Sequence, residues 1–404
     1  MKYLILIGDG MGDHPIGELG NRTPLEAAKT PAMDKLCQNG ALLCAATIPD
    51  GFPPGSDVAN MSLLGYDPQR YYTGRAPLEA ASMGVRLAED QTAYRCNLVT
   101  LDFPTSAEAT MVDFSAGHIS SEEAAELMQM LQQELGNEDF SFHPGVSYRH
   151  LLVVNDRVPT FTGVPPHDYI GKDVTNPWQQ YQTAPPWNEL VTKAKELLTN
   201  HPVNQRRRNE GKRPASAIWP WGEGKMPAML PLYERFGITG TMISAVDLLK
   251  GLGVCSGIDV ANVVGATGYI DTNYEGKAQA ALDALETQDF VFVHLEAPDE
   301  AGHQGRLDHK LTAIEDFDSR IVAPITQTLE QRGESFRAVI TMDHFTPLAI
   351  QTHTAEPIPV ILYDSQDTKN GSQKTFCEAN ISGVDRASIV PGSQLINLLL
   401  QKEG

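Results

Sequence analysis

Three short runs of the chain are almost entirely apolar, and each ends in residues able to hold a metal. Residues 3–7 lead to Asp9 in LILIGDGMGD, FVFVHLEA at 290–297 leads to Asp299 and His303 in APDEAGHQG, and AVITM at 338–342 leads to Asp343 and His344 in MDHFTP. Runs of this kind read as buried strands, and helical stretches alternate with them, the pattern of an α/β protein with a largely parallel sheet flanked by helices. Thr30 and Pro31 read as a helix N-cap and first helical position, with Gly40 as the stop. LLCAATI (42–48) reads as a further strand, the stretch after Ser56 as a helix ending at Gly65, and 309–331 as one long amphipathic helix.

The texture changes in the middle. Strands are expected at YRCNLVTL and YRHLLVV, and SSEEAAELMQMLQQELG reads as a helix whose Ser120 and Glu123 have capping-box spacing. A proline-rich loop, another helix and the basic run NQRRRNEGKR follow. The run Arg206, Arg207, Arg208 reads as a solvated surface segment. The expectation is a smaller α+β domain at 90–211 inserted into a discontinuous core of 1–89 and 212–404.

A chain of 404 residues with 41% hydrophobic and 20% charged residues has room for a large core and an ordinary globular composition. Its net charge of −20 argues against nucleic-acid and anionic-membrane partners, which reward a basic surface. A small phosphorylated substrate stays compatible, because a few local cations can hold it. The five cysteines have no CxxC spacing, which fits a reducing cytoplasm. The opening apolar run is too short for a signal-peptide core, and no apolar stretch reaches membrane-spanning length.

The chemistry follows from where the polar residues fall. Ligands of parallel α/β sheets gather beyond the carboxyl ends of the strands, and Asp9, Asp299, His303, Asp343 and His344 follow strands, with His353 shortly after in QTHTAEP. Asp299 and His303, four apart, share one side of a helical turn, whereas adjacent Asp343 and His344 diverge and suit a pair split between two ions. Each Asp–His pair alone is commonly a structural hydrogen bond. Together, three Asp and three His suit two Mn²⁺, Zn²⁺ or Mg²⁺ ions about 4 Å apart, with Mn²⁺ the first expectation. GDGMG does not complete GxGxxG, and a carboxylate in that turn would repel a pyrophosphate, so the turn reads as a metal holder. Ser56 follows Pro53, Pro54 and Gly55 and opens a helix, where it is either a nucleophile near free N–H groups or an ordinary N-cap.

With LILIGDGMGD, TPLEAAKTPAMDKL, GSDVANMSLLGYDP, YYTGRAPLEA, DEAGHQG, DHFTP and HT in view, the chain resembles the cofactor-independent phosphoglycerate mutases of the archaeal type, members of the alkaline phosphatase superfamily. The resemblance spans nearly the whole chain. It implies an alkaline-phosphatase-like core with an inserted substrate-binding domain, needing two divalent metals and no 2,3-bisphosphoglycerate. It implies Asp9, Ser56, Asp343 and His344 around one metal, and Asp299, His303 and His353 around the other. Ser56 would take the phosphoryl group of 3-phosphoglycerate and return it to the 2-hydroxyl, with the inserted domain closing to exclude water. Arg75, Arg95, Asn97, His118, Arg149, His150, His167 and Lys172 stand in family-like motifs and are the expected substrate contacts, with Lys225 a weaker one. At 218–224 the chain reads IWPWGEG where the family pattern has an arginine–glycine segment. Trp219 and Trp221 there are either a stacking wall or core packing at the domain junction. The departure sets a second reading, a homoserine kinase-like phosphotransferase using ATP; a plain metallophosphatase is a third.

Overall fold

The computed structural model describes residues 1–105, 108–367 and 371–401. They form two compact units, Met1–Tyr72 with Ala228–Gly404, and Thr73–Pro227.

The first unit is built on an eight-stranded sheet in the order Val390–Pro391, Ala41–Ala46, Ile358–Asp364, Phe336–Thr341, Lys2–Gly8, Phe290–Leu295, Gly240–Ile243, Asp259–Val260. The pairings are parallel except where Ile358–Asp364 runs antiparallel to both its neighbours. Phe336–Thr341 and Phe290–Leu295 are buried along their whole length, which is why they read as apolar runs and not as alternating ones. Register brings the site together: Ile7 stands opposite both His294 and Thr341, so the three central strands end level. Asp9, Asp299 and Asp343 follow from those level ends.

Several local expectations change. The span 309–331 is not one α-helix. It runs as Leu307–Asp316, then a π-helical turn Phe317–Val322, then Ala323–Gln331. Pro324 explains the widening, because it has no N–H to donate and its ring would clash with the Arg320 carbonyl in a regular α ladder. Thr30 precedes Pro31 as expected, but its side chain makes no cap bond.

The second unit is an antiparallel sheet around the long strand Gln91–Asp102, which pairs with Thr110–Asp113, Arg149–Asn155 and Ala217–Gly224; Phe140–His143 completes it. Helices Ser121–Leu135 and Pro185–Asn200 pack on it around Tyr94, Trp178, Tyr181, Trp187 and Trp219. This unit reaches further at both ends than residues 90–211. Ala217–Gly224 pairs with its central strand, and Ala76 and Ala80 of helix Ala76–Ser82 pack on Ala93 and Leu151. Ser120 caps its helix by accepting from the Glu123 N–H, while the Glu123 carboxylate takes Arg207 instead of completing the box. Arg207 is therefore buried, not solvated, and its guanidinium also donates to the carbonyls of Ala116 and Arg213. Cys37, Cys44, Cys96 and Cys377 are free thiols. Among the described residues no helix is long and apolar enough to cross a membrane.

Candidate metal centre

The turn after the first strand closes tightly because of Gly10. Its φ is +60°, and a Cβ there would lie 2.5 Å from Thr346 Oγ1 and 2.7 Å from the Asp299 Cα, so only glycine lets Asp9 approach its neighbours. Asp343 is held from three sides. Gly10 N–H donates to its Oδ1 (3.1 Å), His344 N–H donates to the same oxygen (2.9 Å), and Asn60 Nδ2 donates to Oδ2 (2.9 Å). Thr346 Oγ1 donates to Asp299 Oδ1.

Asp9, His294 and Asp343 present ligand atoms within 4.8 Å of one another, and Asp299, His344 and His353 form a second such group. His303 joins the second, with Nε2 3.2 Å from Asp299 Oδ2 and 2.9 Å from His353 Nε2. His303 Nδ1 donates to the Gln351 carbonyl at 3.0 Å, which turns Nε2 toward the site. His344 stands between the groups, its Nε2 3.1 Å from Ser56 Oγ, 3.5 Å from Asp9 Oδ1 and 3.4 Å from Asp343 Oδ2. The structure thus brings all seven sequence-derived residues to one place, with Asp343 and His344 falling in different groups by distance.

Ser56 is the first residue of helix Ser56–Leu63, and Gly55 is the N-cap. Its hydroxyl makes no cap bond, which removes the ordinary N-cap reading. Asn60, one turn on, donates to the Ser56 carbonyl and to Asp343 and so fixes the serine's backbone to the site.

The electrostatics call for cations. Asp9 is pushed well above the usual carboxylate range by burial and then by Asp343 and Asp299. Burial would raise Asp299 too, but His303 and His353 outweigh it and hold it well below that range. Burial lowers His344. Asp9 Oδ1 is buried and, among the described residues, has no hydrogen-bond partner; the same is true of Asn60 Oδ1 and of both His294 ring nitrogens beside it. An unpartnered buried carboxylate oxygen in a site of three acids and four imidazoles fits divalent cations held by O and N donors.

The expected substrate residues lie in the second unit, and several converge there. Arg75 Nε and Arg95 Nε grip the two oxygens of Glu79 at 3.1 and 3.0 Å. The Arg95 guanidinium lies 4.1 Å from the Trp221 ring centre, and Trp221 Nε1 donates to Asn97 Oδ1 at 3.0 Å. Burial brings Arg95 down to about 10, against the pull of Glu79. The His167 ring is 5.6 Å from that of Trp221, and Arg149 reaches the Glu79 group electrostatically. Two others have side chains engaged elsewhere: His150 accepts from Gly145 N–H through Nδ1, and Lys172 donates to the Asp168 carbonyl; His118 sits in a left-handed turn with its backbone N–H on Ser115 Oγ. Lys225 is paired with Asp156. Trp219 is core packing against Trp178 and Tyr181, whereas Trp221 is a platform under Arg95.

Sequence reasoning missed His294, Asn60, Thr346 and Lys310. His294 did leave a signal, a histidine in the otherwise apolar FVFV-L run. Lys310 left none, since its buried contacts join residues remote in sequence.

An α/β core that gathers acid and imidazole groups beside a helix-opening serine is that of a metal-dependent phosphoryl-transfer enzyme of alkaline-phosphatase type. Residues 37–204 match the family described as 2,3-bisphosphoglycerate-independent phosphoglycerate mutase. The enzyme of that name from Methanosarcina barkeri is 52% identical over 402 residues, covering 99% of this chain and 100% of the relative. A solved protein of Pyrococcus horikoshii superposes with a TM-score of 0.80 at 29% identity, covering 99% of this chain and 96% of that one. A cofactor-independent phosphoglycerate mutase from Thermoplasma acidophilum superposes at 0.65 with 28% identity, covering 99% of each chain. The chain belongs to the family of 2,3-bisphosphoglycerate-independent phosphoglycerate mutases.

Proposed function

We propose that the chain interconverts 3-phosphoglycerate and 2-phosphoglycerate through a phosphoserine at Ser56. The observation that carries this is the Ser56 hydroxyl, free of any cap bond and 3.1 Å from Nε2 of His344, the imidazole that stands between the two acid–imidazole groups. Asp9, Asp343, His344 and Ser56 would hold one divalent ion, and Asp299, His303 and His353 the other. When bound, the ions supply the positive charge that lowers the serine's pKa and offsets the charge of the transferring oxygens. Manganese suits the hard O and N donor set.

Ser56 Oγ forms a bond to phosphorus as the bond to the substrate's 3-oxygen breaks, and the proton lost by the serine is matched by one gained at that oxygen. Glycerate's 2-hydroxyl then attacks the phosphoserine, gives up its proton and frees Ser56, so the overall reaction is an isomerisation. Asn60 keeps Ser56 in register with Asp343 during both steps. In the second unit, Arg75, Arg95 and Arg149 around Glu79, with Asn97 and His167, offer the cationic forks that the acidic groups of phosphoglycerate require. His150 and Lys172 would have to leave their present partners to join them. A diffusible substrate and the free thiols of Cys37, Cys44, Cys96 and Cys377 support a cytoplasmic setting.

Phosphorus NMR of 3-phosphoglycerate with manganese-loaded protein, without ATP or 2,3-bisphosphoglycerate, tests the proposal. A growing 2-phosphoglycerate signal that Ser56→Ala abolishes is the expected result. Release of inorganic phosphate alone would overturn it in favour of a phosphatase, and turnover only of homoserine with ATP in favour of a kinase.

A further inference from the structure

Strand Phe290–Leu295 is buried on both faces, yet it carries a histidine. His294 is fully buried, and among the described residues neither ring nitrogen meets an in-line hydrogen-bond partner, but each faces a carboxylate: Nε2 lies 3.3 Å from Asp9 Oδ2 and Nδ1 lies 3.3 Å from Glu296 Oε1. Glu296 is fixed in turn. Its Oε1 accepts from Ser244 Oγ (2.7 Å) and Ala245 N–H (2.9 Å), and its Oε2 accepts from the buried ammonium of Lys277 (2.6 Å). Lys277 also donates to the His294 carbonyl at 3.0 Å. Burial would raise the Glu296 carboxyl, but Lys277 and His294 outweigh it and keep it well below the ordinary range. A line of close contacts, the Lys277–Glu296 hydrogen bond followed by the 3.3 Å approaches Glu296–His294 and His294–Asp9, therefore runs from the helix Tyr274–Thr287 through the sheet to the metal turn.

We infer that His294 is a positioning residue, clamped by Glu296, that holds Asp9 Oδ2 and thereby aims the unpartnered Asp9 Oδ1 into the metal site. The two oxygens of Asp9 have separate tasks. Oδ2 faces His294, and Oδ1 faces His344 at 3.5 Å with no hydrogen bond of its own. A carboxylate held by one oxygen keeps one orientation, so the ion meets a pre-set ligand and not one it must order. Outer partners of this kind are generally worth 10–100-fold in metal affinity. The inference rests on the two-metal reading above but not on the mutase reaction.

The test is calorimetric titration of Mn²⁺ into the metal-free chain, in the absence of substrate, for wild type, His294→Gln, Glu296→Gln and the double variant. The expected result is two ions bound in every case, with one weakened 10–100-fold in His294→Gln and also weakened in Glu296→Gln. The double variant should be no worse than His294→Gln, since both changes break one line of contacts. Circular dichroism of each metal-free variant verifies folding, and the conservative Gln at 296 keeps an acceptor for Ser244 if His294→Gln fails to fold. Affinities within twofold of wild type would overturn the inference. So would loss of one ion altogether in His294→Gln with Glu296→Gln at wild-type affinity, because His294 would then itself be a ligand. A wild type that binds two ions without isomerising phosphoglycerate would sink the proposed function and leave this inference standing.

Discussion

Lys310 is fully buried and donates to three acceptors, the carbonyls of Gly12 (3.0 Å) and Thr346 (2.8 Å) and Asp13 Oδ2 (2.9 Å). Lys310→Met keeps the shape of the stem and removes the charge. Breaking a buried pair from one side costs about 3–5 kcal/mol, because the remaining charge stays buried without its counter-ion. Asp13 would keep the N–H groups of His14 (2.8 Å) and Leu348 (3.1 Å), which puts the loss near the lower end. For a unit of this size, ~3 kcal/mol lowers the unfolding midpoint by roughly 6–12 °C. The chain provides its own control. All four tryptophans, Trp178, Trp187, Trp219 and Trp221, lie in the unit Thr73–Pro227, and every partner of Lys310 lies in the other. Thermal melts with EDTA present should therefore show an earlier far-ultraviolet dichroism transition and an unmoved tryptophan-fluorescence transition. Asp13→Asn in the Lys310→Met background should recover part of the loss. A dichroism midpoint within about 2 °C of wild type would refute the argument, as would an equal shift in both signals.

Glu378 is pushed up to about 7, chiefly by burial, above an ordinary value of 4.5. The unfolded chain gives up this proton first, so stability falls as pH rises from about 4.5 to 7 and is level above; Glu378→Gln should flatten that slope in dichroism melts at pH 5–8. Mn²⁺ at 100 times its Kd should stabilise the first unit by about 2.7 kcal/mol for each ion bound in the same melts and leave the fluorescence transition in place. In steady-state assays Trp221→Leu, which removes the platform under Arg95, should raise KM for 3-phosphoglycerate more than it lowers kcat. Trp221→Phe keeps a ring and loses only the bond to Asn97, so its KM should fall between those of wild type and Trp221→Leu.

The legible part of this molecule was the part encoded by local pattern. Uninterrupted apolar runs marked the central strands, because burial on both faces leaves no room for alternation. Asp and His residues just past those runs marked the site, because level strand ends are a consequence of parallel register. What escaped depended on pairings between distant segments. Ala217–Gly224 could not be assigned to the inserted unit without its partner Gln91–Asp102. Arg207 sat in a basic run that reads as solvated, and only the distant Glu123 explains its burial. Trp219 and Trp221, two residues apart, do different jobs for the same reason: one meets Trp178 and Tyr181, the other Arg95 and Asn97.

The two supports of the metal turn that escaped the sequence, His294 and Lys310, differ in what they hold. His294 faces the Asp9 carboxylate, whereas Lys310 ties the Gly12 and Thr346 carbonyls, the backbone that carries Asp9 on one side and the Asp343–His344 pair on the other. Lys310 touches no expected ligand, yet Lys310→Met loosens two ligand-bearing loops at once, so it should weaken Mn²⁺ binding as well as stability. The contacts of His294 and Lys310 have no partner in common among the described residues. Effects of changes without shared partners add to within roughly 0.3–0.5 kcal/mol. Combining Lys310→Met with His294→Gln should therefore multiply their separate losses in Mn²⁺ affinity, whereas His294→Gln with Glu296→Gln should not. A strongly non-additive Lys310–His294 pair would mean that both act through one shared movement of the turn, and the division between holding the carboxylate and holding the backbone would fall.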